Sequence, residues 1–317
     1  MRMDKVRLGR TGVPVSELCF GTMTFGNGAD ETESAEIYGA CRDAGIDFFD
    51  CADVYAGGES ERILGRLIKD HRDEVFITSK CGMGAIKGAT RRGIRASCEA
   101  SLRRLGVERI DLYFVHRWDA ATPLEETLRA LEDLRAAGMI AYLGCSNYAA
   151  WQIAMANGIA AKEGLAPFEV LQPMYNLIKR QVEVEILPLA RQMDLAVMSY
   201  GPAAGGLLTN KYAGGGAGRF SVNTEYQKRY DDPWFHETAA AFAALALEEG
   251  VDPMTLAVAW VMANPDVTCP LIGARSVAQL GPSLAAASYE MPAEVMDLLM
   301  AMSRTPPPAT DRLEEQR

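Results

Sequence analysis

Short apolar runs alternate with amphipathic helical patterns along almost the entire chain. Eight of the runs, at 18–21, 47–50, 75–79, 111–116, 141–145, 170–172, 196–200 and 270–272, have the length and composition of strands. Between them apolar residues recur three and four positions apart. Leu124, Thr127, Leu128, Leu131 and Leu134 follow this spacing, which predicts one buried helix face. Thr122-Pro123-Leu124-Glu125 has the form of an N-cap and first turn, and Gly138 closes that helix. A second helix of the same kind runs over 90–105, with Gly106 after it. This alternation predicts βα units around a parallel sheet. Runs at 6–8 and 13–16 flank Gly9-Arg10-Thr11-Gly12 and predict a hairpin ahead of the sheet. After the last strand, 276–287 and 292–304 predict two more helices, and Thr305-Pro306-Pro307-Pro308 begins a frayed tail. No repeat beyond the βα rhythm and no domain boundary interrupts the chain. The expected fold is therefore a (β/α)8 TIM barrel occupying 1–317 as one domain, with an N-terminal β-hairpin and two extra C-terminal helices.

The unit after the seventh strand is unusually long. Residues 209–232 hold Gly214-Gly215-Gly216-Ala217-Gly218 and then a polar, aromatic-bearing stretch with no evident core of its own. A mobile lid and a plain surface insertion are both open readings.

The length of 317 residues suits one α/β barrel with insertions, and 49% hydrophobic residues are enough for a substantial core. A formal net charge of -10 argues against nucleic acid or an anionic membrane surface as the main partner. It leaves room for a small basic pocket. The charged start, Met1-Arg2-Met3-Asp4-Lys5, has no apolar stretch behind it, and the longest apolar run, 239–247, is too short to span a bilayer. A cytoplasmic protein is the expectation. The seven cysteines are scattered without CxxC spacing, which reads as reduced thiols. Cys51 and Cys81 each follow a candidate catalytic residue, and small apolar filler is their plain reading.

Candidate chemistry lies at the ends of three successive strands. The second strand ends at Asp50, with Tyr55 five residues later; the third ends at Lys80 and the fourth at His116. Strand C-terminal ends form the rim where such barrels keep their active sites. Tyr55 alone would be an ordinary loop tyrosine. A lysine closing an apolar strand, however, needs a counter-charge, and Asp50 on the neighbouring strand is placed to supply it. Lysine beside tyrosine favours the phenolate and lowers the phenol from about 10, making it a usable acid. His116 can orient a carbonyl oxygen. The three histidines are far apart, with no HxH or HExxH, so no metal site is expected. Asp119 suits a turn better than a ligand set. No Walker A sequence and no GxGxxG opens a helix.

The later strands end in segments suited to holding a hydride donor. Gly144-Cys145-Ser146-Asn147 and Gln172 offer groups for a carboxamide, and Tyr200 offers a ring to stack on. Gly201-Pro202-Ala203-Ala204-Gly205-Gly206 lets backbone approach a pyrophosphate. Ile272-Gly273-Ala274-Arg275-Ser276 leads into a helix, and an arginine at a helix start suits a phosphate.

These residues together resemble the aldo-keto reductases, from Leu8-Gly9 to about Leu284. In overall pattern the chain looks most like bacterial members related to the potassium-channel β subunits. The resemblance implies a catalytic tetrad of Asp50, Tyr55, Lys80 and His116, with tyrosine as proton donor, lysine and aspartate tuning it, and histidine orienting the carbonyl. It also implies that Gly21, Thr22 and Met23 lie beside the nicotinamide ribose. Ser146, Asn147 and Gln172 would hold the nicotinamide amide and Tyr200 would stack. The loop from Gly201 to Tyr212, with Pro202, Ala203, Gly205, Leu207 and Lys211, resembles the family's serine-proline-leucine loop. Ile272, Gly273, Arg275 and Gln279 resemble the adenosine-phosphate site, with Ser283 where an adenine-contacting asparagine is usual. Gly201, Ala203 and Asn210 also depart from the usual serine, leucine and glycine. NADPH is the implied cofactor, and Arg275 supports that preference by its charge.

An NADPH-dependent carbonyl reductase is the first reading. A regulatory, redox-sensing module of the channel β-subunit type, binding NADPH without turnover, is the second. A Schiff-base aldolase using Lys80 is a third, opposed by Asp50 and the dinucleotide segments. Phe25, Trp118 and Tyr148, with Tyr55 and His116, are expected to line a pocket for an apolar or aromatic carbonyl compound. The monomer and the homo-oligomer both stay open.

Overall fold

The computed structural model describes residues 3–310, apart from 214, 217, 219 and 221–223. Eight parallel strands close a barrel: β3 (Cys19–Gly21), β4 (Phe48–Asp50), β5 (Phe76–Cys81), β6 (Ile110–Val115), β7 (Ile140–Ser146), β8 (Val170–Gln172), β9 (Ala196–Tyr200) and β10 (Cys269–Ile272). They follow one another around the barrel in chain order, and β10 returns to β3 with Leu271 opposite Cys19. Between them run α1 (Glu31–Asp43), α2 (Glu59–Ile68), α3 (Arg91–Leu105), α4 (Leu124–Ala136), α5 (Ala150–Glu163) and α6 (Ile186–Met193).

Successive strand residues point to opposite faces, so the apolar runs must serve two cores at once. Cys19, Phe48, Leu112, Phe114, Val170, Ala196, Met198 and Cys269 form the barrel interior. Phe20, Phe49, Ile77, Tyr113, Val115, Leu171 and Val197 pack outward against the helices. The expected hairpin is present, with β1 (Lys5–Arg7) antiparallel to β2 (Pro14–Ser16). Leu8 and Val15 belong to the interior cluster, so the hairpin plugs the barrel floor. Gly144 on β7 has a packing reason: a Cβ there would run into the Phe114 ring. The interior is thus filled with side chains, which leaves the strand C-terminal ends as the place for chemistry in such a barrel.

Helix ends follow their local chemistry. Thr90 caps α3 by accepting from the Gly93 N–H, and left-handed Gly106 closes it. The N-cap of α4 differs from the expectation. It is Pro123, without a side-chain cap, because the Thr122 hydroxyl donates to Asp119 Oδ2 at 2.7 Å. Asp119 also accepts from the N–H groups of Ala89 and Ala121, pinning the loop after β5 to the loop after β6. β6 ends one residue early, at Val115, yet the His116 N–H still donates to Cys81 O at 3.0 Å.

The long unit after β9 contains helices Thr224–Arg229, Pro233–Glu248 and Pro253–Met262. The expectation that its first part lacks a core needs correction. Phe220 lies 4.7 Å from Tyr212, 5.7 Å from Tyr230 and 6.1 Å from Tyr226 between ring centroids, and Tyr230 is buried. Part of the lid reading falls on 214, 217, 219 and 221–223, outside the described residues. The two C-terminal helices are Val277–Ala285 and Ala293–Met302. All seven cysteines are buried and unpaired, and burial pushes the Cys51 thiol up to about 12. No helix among the described residues is long and apolar enough to cross a membrane.

Candidate active site

β4 and β5 are hydrogen-bonded neighbours, so Asp50 and Lys80 meet at the barrel mouth. Lys80 Nζ donates to Asp50 Oδ2 at 2.6 Å, to Cys51 O at 2.7 Å and to Tyr55 Oη at 3.2 Å. Both charged side chains are essentially inaccessible, at 0% and 1% exposure. A buried ammonium requires this full set of acceptors. Burial pulls the Lys80 pKa down, but Asp50 and Tyr55 outweigh it and hold the lysine above its ordinary value. Asp50 has a second donor, since Thr78 Oγ1 donates to its Oδ1 at 2.8 Å.

Tyr55 sits in a short turn, Tyr55–Gly58, in which Ala56, Gly57 and Gly58 all have positive φ. The expected downward tuning of its phenol is not the net result. Burial pushes Tyr55 up to about 12; Lys80 pulls it down by less, and Asp50 adds to the rise. His116 lies across the Tyr55 ring at 6.1 Å with the planes near perpendicular. Burial, then Lys80 and Arg117, push its pKa down to about 3, and its Nδ1 is buried with no hydrogen-bond partner. The imidazole is therefore neutral at ordinary pH.

Hydrogen bonds continue from the tetrad around the mouth. Gln172 Nε2 donates to Asp50 Oδ1 at 2.8 Å. Ser146 Oγ donates to Gln172 O at 2.8 Å and accepts from Asn147 Nδ2 at 3.0 Å. Asn147 Nδ2 also reaches His116 O at 2.9 Å, while Tyr200 Oη donates to Asn147 Oδ1 at 2.8 Å. Asn147 is left-handed, with φ 58°, a conformation asparagine tolerates better than most residues. Thr22, expected beside a ribose, is fully buried and donates to Asp50 O at 3.0 Å. Gly21 and Met23 flank it, each half-buried.

The glycine loop after β9 is a run of left-handed backbone: Gly201, Ala204, Gly205 and Gly206 all have positive φ. Pro202, Ala203 and Leu207 are buried beneath it. A Cβ at Gly205 would lie 2.7 Å from the Tyr226 ring, and one at Gly206 would lie 2.7 Å from Lys211 Nζ. Sequence reasoning missed Asn176, a buried side chain whose Nδ2 donates to Gly201 O at 2.9 Å and fixes the start of this loop. At the end of β10, Ile272 is buried; beyond it Gly273 is exposed, Arg275 N donates to Gln279 Oε1 at 3.2 Å, and Ser276 caps the helix that carries buried Ser283. The Arg275 guanidinium is exposed and makes no ion pair with a described residue, and its stem lies against Gly28. A narrow glycine-lined backbone, an uncommitted cation and a helix start fit an anionic dinucleotide.

On the pocket side, Trp118 is half-buried, 5.3 Å from Tyr148 and 5.7 Å from Trp151, which is 60% exposed. Trp151 was not anticipated. Phe25 and Tyr148 do not present an open wall: Phe25 is fully buried against Phe20, and Tyr148 packs on Phe168.

Behind the tetrad lies a second polar cluster that sequence reasoning also missed. Glu61 of α2 is fully buried; its Oε1 accepts from Ser79 Oγ at 2.6 Å and its Oε2 from Arg104 Nε at 2.5 Å. Asp53 is buried with Oδ1 unpartnered, and burial and Glu61 push its pKa up to about 6. An acid on the buried face of α2, in line with Leu64 and Ile68, was the available signal.

Residues 17–304 match the model of the aldo/keto reductase family. The chain is 35% identical over 314 residues to an uncharacterized oxidoreductase, YrpG, of Bacillus subtilis, covering 94% of this chain and 95% of that one. It is 36% identical over 327 residues to a probable voltage-gated potassium channel subunit beta of Oryza sativa, with 98% and 99% covered. A norsolorinic acid reductase of Aspergillus flavus is 30% identical over 294 residues, with 85% and 73% covered. A closed eightfold barrel with Asp50, Lys80 and Tyr55 in mutual contact at its mouth, matched to the family model almost end to end, makes this chain a member of the aldo/keto reductase family.

Proposed function

We propose that the protein is an NADPH-dependent reductase that converts an aldehyde or ketone to an alcohol, with Tyr55 as proton donor. The observation that carries this reading is the 3.2 Å contact of Lys80 Nζ with Tyr55 Oη, beside a neutral His116. The hydride is supplied by reduced nicotinamide when the dinucleotide is bound. Ser146, Asn147, Gln172 and Tyr200 would flank that ring, with Gly201–Gly206 at the pyrophosphate and Arg275 at the 2′-phosphate. Because the Gln172 side-chain nitrogen is committed to Asp50, its oxygen remains to accept from a carboxamide.

As the carbonyl carbon gains hydride, charge develops on its oxygen. Tyr55 gives up its hydroxyl proton to that oxygen, forming the alcohol O–H and leaving a phenolate. The Lys80 ammonium stabilises the phenolate, and solvent returns the proton. A phenol raised to about 12 is fully protonated at neutral pH, so the acid is loaded before each turnover. A neutral His116 can donate one ring N–H to the same oxygen and orient it. Trp118, with Trp151 next to it, suits an apolar or aromatic substrate.

The likeness to a named channel β subunit favours one second reading, a module that binds NADPH and senses redox state without sustained turnover. A panel of aldehydes and ketones with NADPH and NADH, followed at the absorbance of the reduced nicotinamide, separates the two. Tyr55→Phe should bind NADPH as the parent does and lose at least ~10²-fold in turnover, the lower range for general acid catalysis. An undiminished Tyr55→Phe enzyme would sink the mechanism, and NADPH binding without turnover of any carbonyl would favour the module.

A further inference from the structure

The turn that carries Tyr55 combines its own backbone hydrogen bonds, Gly57 N–H to Val54 O at 3.3 Å and Glu59 N–H to Ala56 O, with strained dihedrals. Ala56, Gly57 and Gly58 have φ of 48°, 62° and 93°, and a left-handed alanine is strained. Packing from outside the turn adds to these bonds. Gly26 packs against Ala56 from one side, and Arg104 of α3 covers Gly58 from another. A Cβ at Gly58 would lie 2.6 Å from Arg104 Cδ and 2.7 Å from its Nε, so the arginine stem lies directly on that backbone. Arg104 is in turn fixed by Glu61 Oε2 at 2.5 Å and by Ser101 Oγ at 3.2 Å. The other oxygen of Glu61 accepts from Ser79 Oγ at 2.6 Å, and Ser79 directly precedes Lys80.

One buried carboxylate therefore links the strand that delivers Lys80 to the arginine that covers the turn delivering Tyr55. α2 and α3 are held closely enough for this, since a Cβ at Gly65 would collide with the Leu105 carbonyl. We propose that Glu61 and Arg104 are positioning residues for the proton donor, forming a clamp that sets Tyr55 Oη against Lys80 Nζ. Both act through the strand and the turn they hold, Glu61 through Ser79 and Arg104 through Gly58. The proposal rests on the reading of Tyr55 as the acid.

Removing Arg104 alone would leave a buried carboxylate unpaired and could unfold the protein. The informative variant is the double Glu61→Gln, Arg104→Met, which removes both charges and keeps a hydrogen-bonding partner for Ser79. It is to be compared with the parent for thermal unfolding, NADPH affinity, kcat, KM and amide exchange at 56–58. The expected result is a cooperative fold, NADPH affinity within about twofold, KM little changed, kcat lowered at least ~10-fold, and exchange at 56–58 at least ~10-fold faster, with α2 and α3 still protected. A purely structural role would shift the unfolding midpoint but leave kcat per folded molecule and turn exchange at parental values. Either kcat within twofold of the parent or unchanged exchange at 56–58 overturns the clamp. Should the parent reduce no carbonyl, the reductase reading fails by itself, and the exchange measurement alone decides the clamp.

Discussion

Gln172 and Asp50 share a 2.8 Å hydrogen bond, from the Gln172 side-chain nitrogen to the carboxylate oxygen that Lys80 does not use. The two residues are 122 positions apart, on strands that are not neighbours. This bond joins the β8 side of the mouth to the β4 and β5 side, where Lys80 and Tyr55 meet. Asp50 thereby has Lys80 on Oδ2, and Thr78 and Gln172 on Oδ1. Gln172→Leu removes a donor from a buried carboxylate. It should destabilise the fold by about 1.5–3 kcal/mol, the range for a hydrogen bond to a charged group. Urea unfolding measures this, and a loss below about 0.5 kcal/mol would mean that the bond contributes nothing.

Arg275 is exposed, lacks an ion pair among the described residues, and stands beside a capped helix start. NADPH should therefore bind more tightly than NADH. Arg275→Ala should narrow the gap by about 1.5–3 kcal/mol, as for loss of a charged hydrogen bond. Dissociation constants for both cofactors, taken on parent and variant at one salt concentration, decide the matter. Equal constants in the parent would remove the case for a 2′-phosphate site.

The eight barrel strands were legible because each buries both faces and so reads as a short apolar run. β8 and β9 match the sequence reading to the residue. The ends of β5 and β6 shifted, since hydrogen bonding to neighbours, not hydrophobicity, decides where a strand stops. Asp50, Lys80 and His116 could be found because a titratable residue at the end of an apolar run is conspicuous. The Glu61–Arg104 bond could not, since it joins helices across 43 positions; the place of Glu61 on the buried face of α2 hinted at a buried acid but not at its partner. The sign of the Tyr55 shift was misjudged for a related reason. Proximity of Lys80 was readable, but the depth of burial that outweighs it was not.

His116 is pushed down to about 3 by burial, with Lys80 and Arg117 adding to the effect. Its folded pKa lies below the unfolded value of about 6.5. The associated stability is thus fully present above pH 6.5 and is lost as pH falls toward 3. Proton binding by His116 should not appear in the rate profile between pH 5 and 8. Nitrogen chemical shifts of the labelled imidazole should report a neutral ring down to pH 5. A His116 titration midpoint near 6.5 would contradict the buried, cation-flanked setting.

Asp53 gives the opposite sign and is the sharpest test of the cluster behind the tetrad. Its Oδ1 is buried without a partner, and its carboxylate lies against Gly84, where a Cβ would collide with it. Burial and Glu61 push its pKa from 3.8 up to about 6; Arg104, Lys80 and Lys87 pull the other way without offsetting them. For an acid whose folded pKa is raised, the stability contribution is complete below the unfolded pKa and is lost as pH rises through the folded one. Between pH 4 and 6 the folded protein therefore holds a proton that the unfolded chain releases. At pH 7.5 the ionised carboxylate costs on the order of 2–3 kcal/mol, at about 1.36 kcal/mol for each tenfold loss of acidity between 3.8 and about 6. Asp53→Asn cannot ionise and removes that cost. The variant should exceed the parent in stability at pH 7.5 by up to about this amount, and the gap should close as pH falls below about 4. Urea unfolding of both proteins across pH 4 to 8 reads the difference. A gap of constant size at all pH values would show that Asp53 carries no shifted proton and that the effect of substitution lies in packing alone.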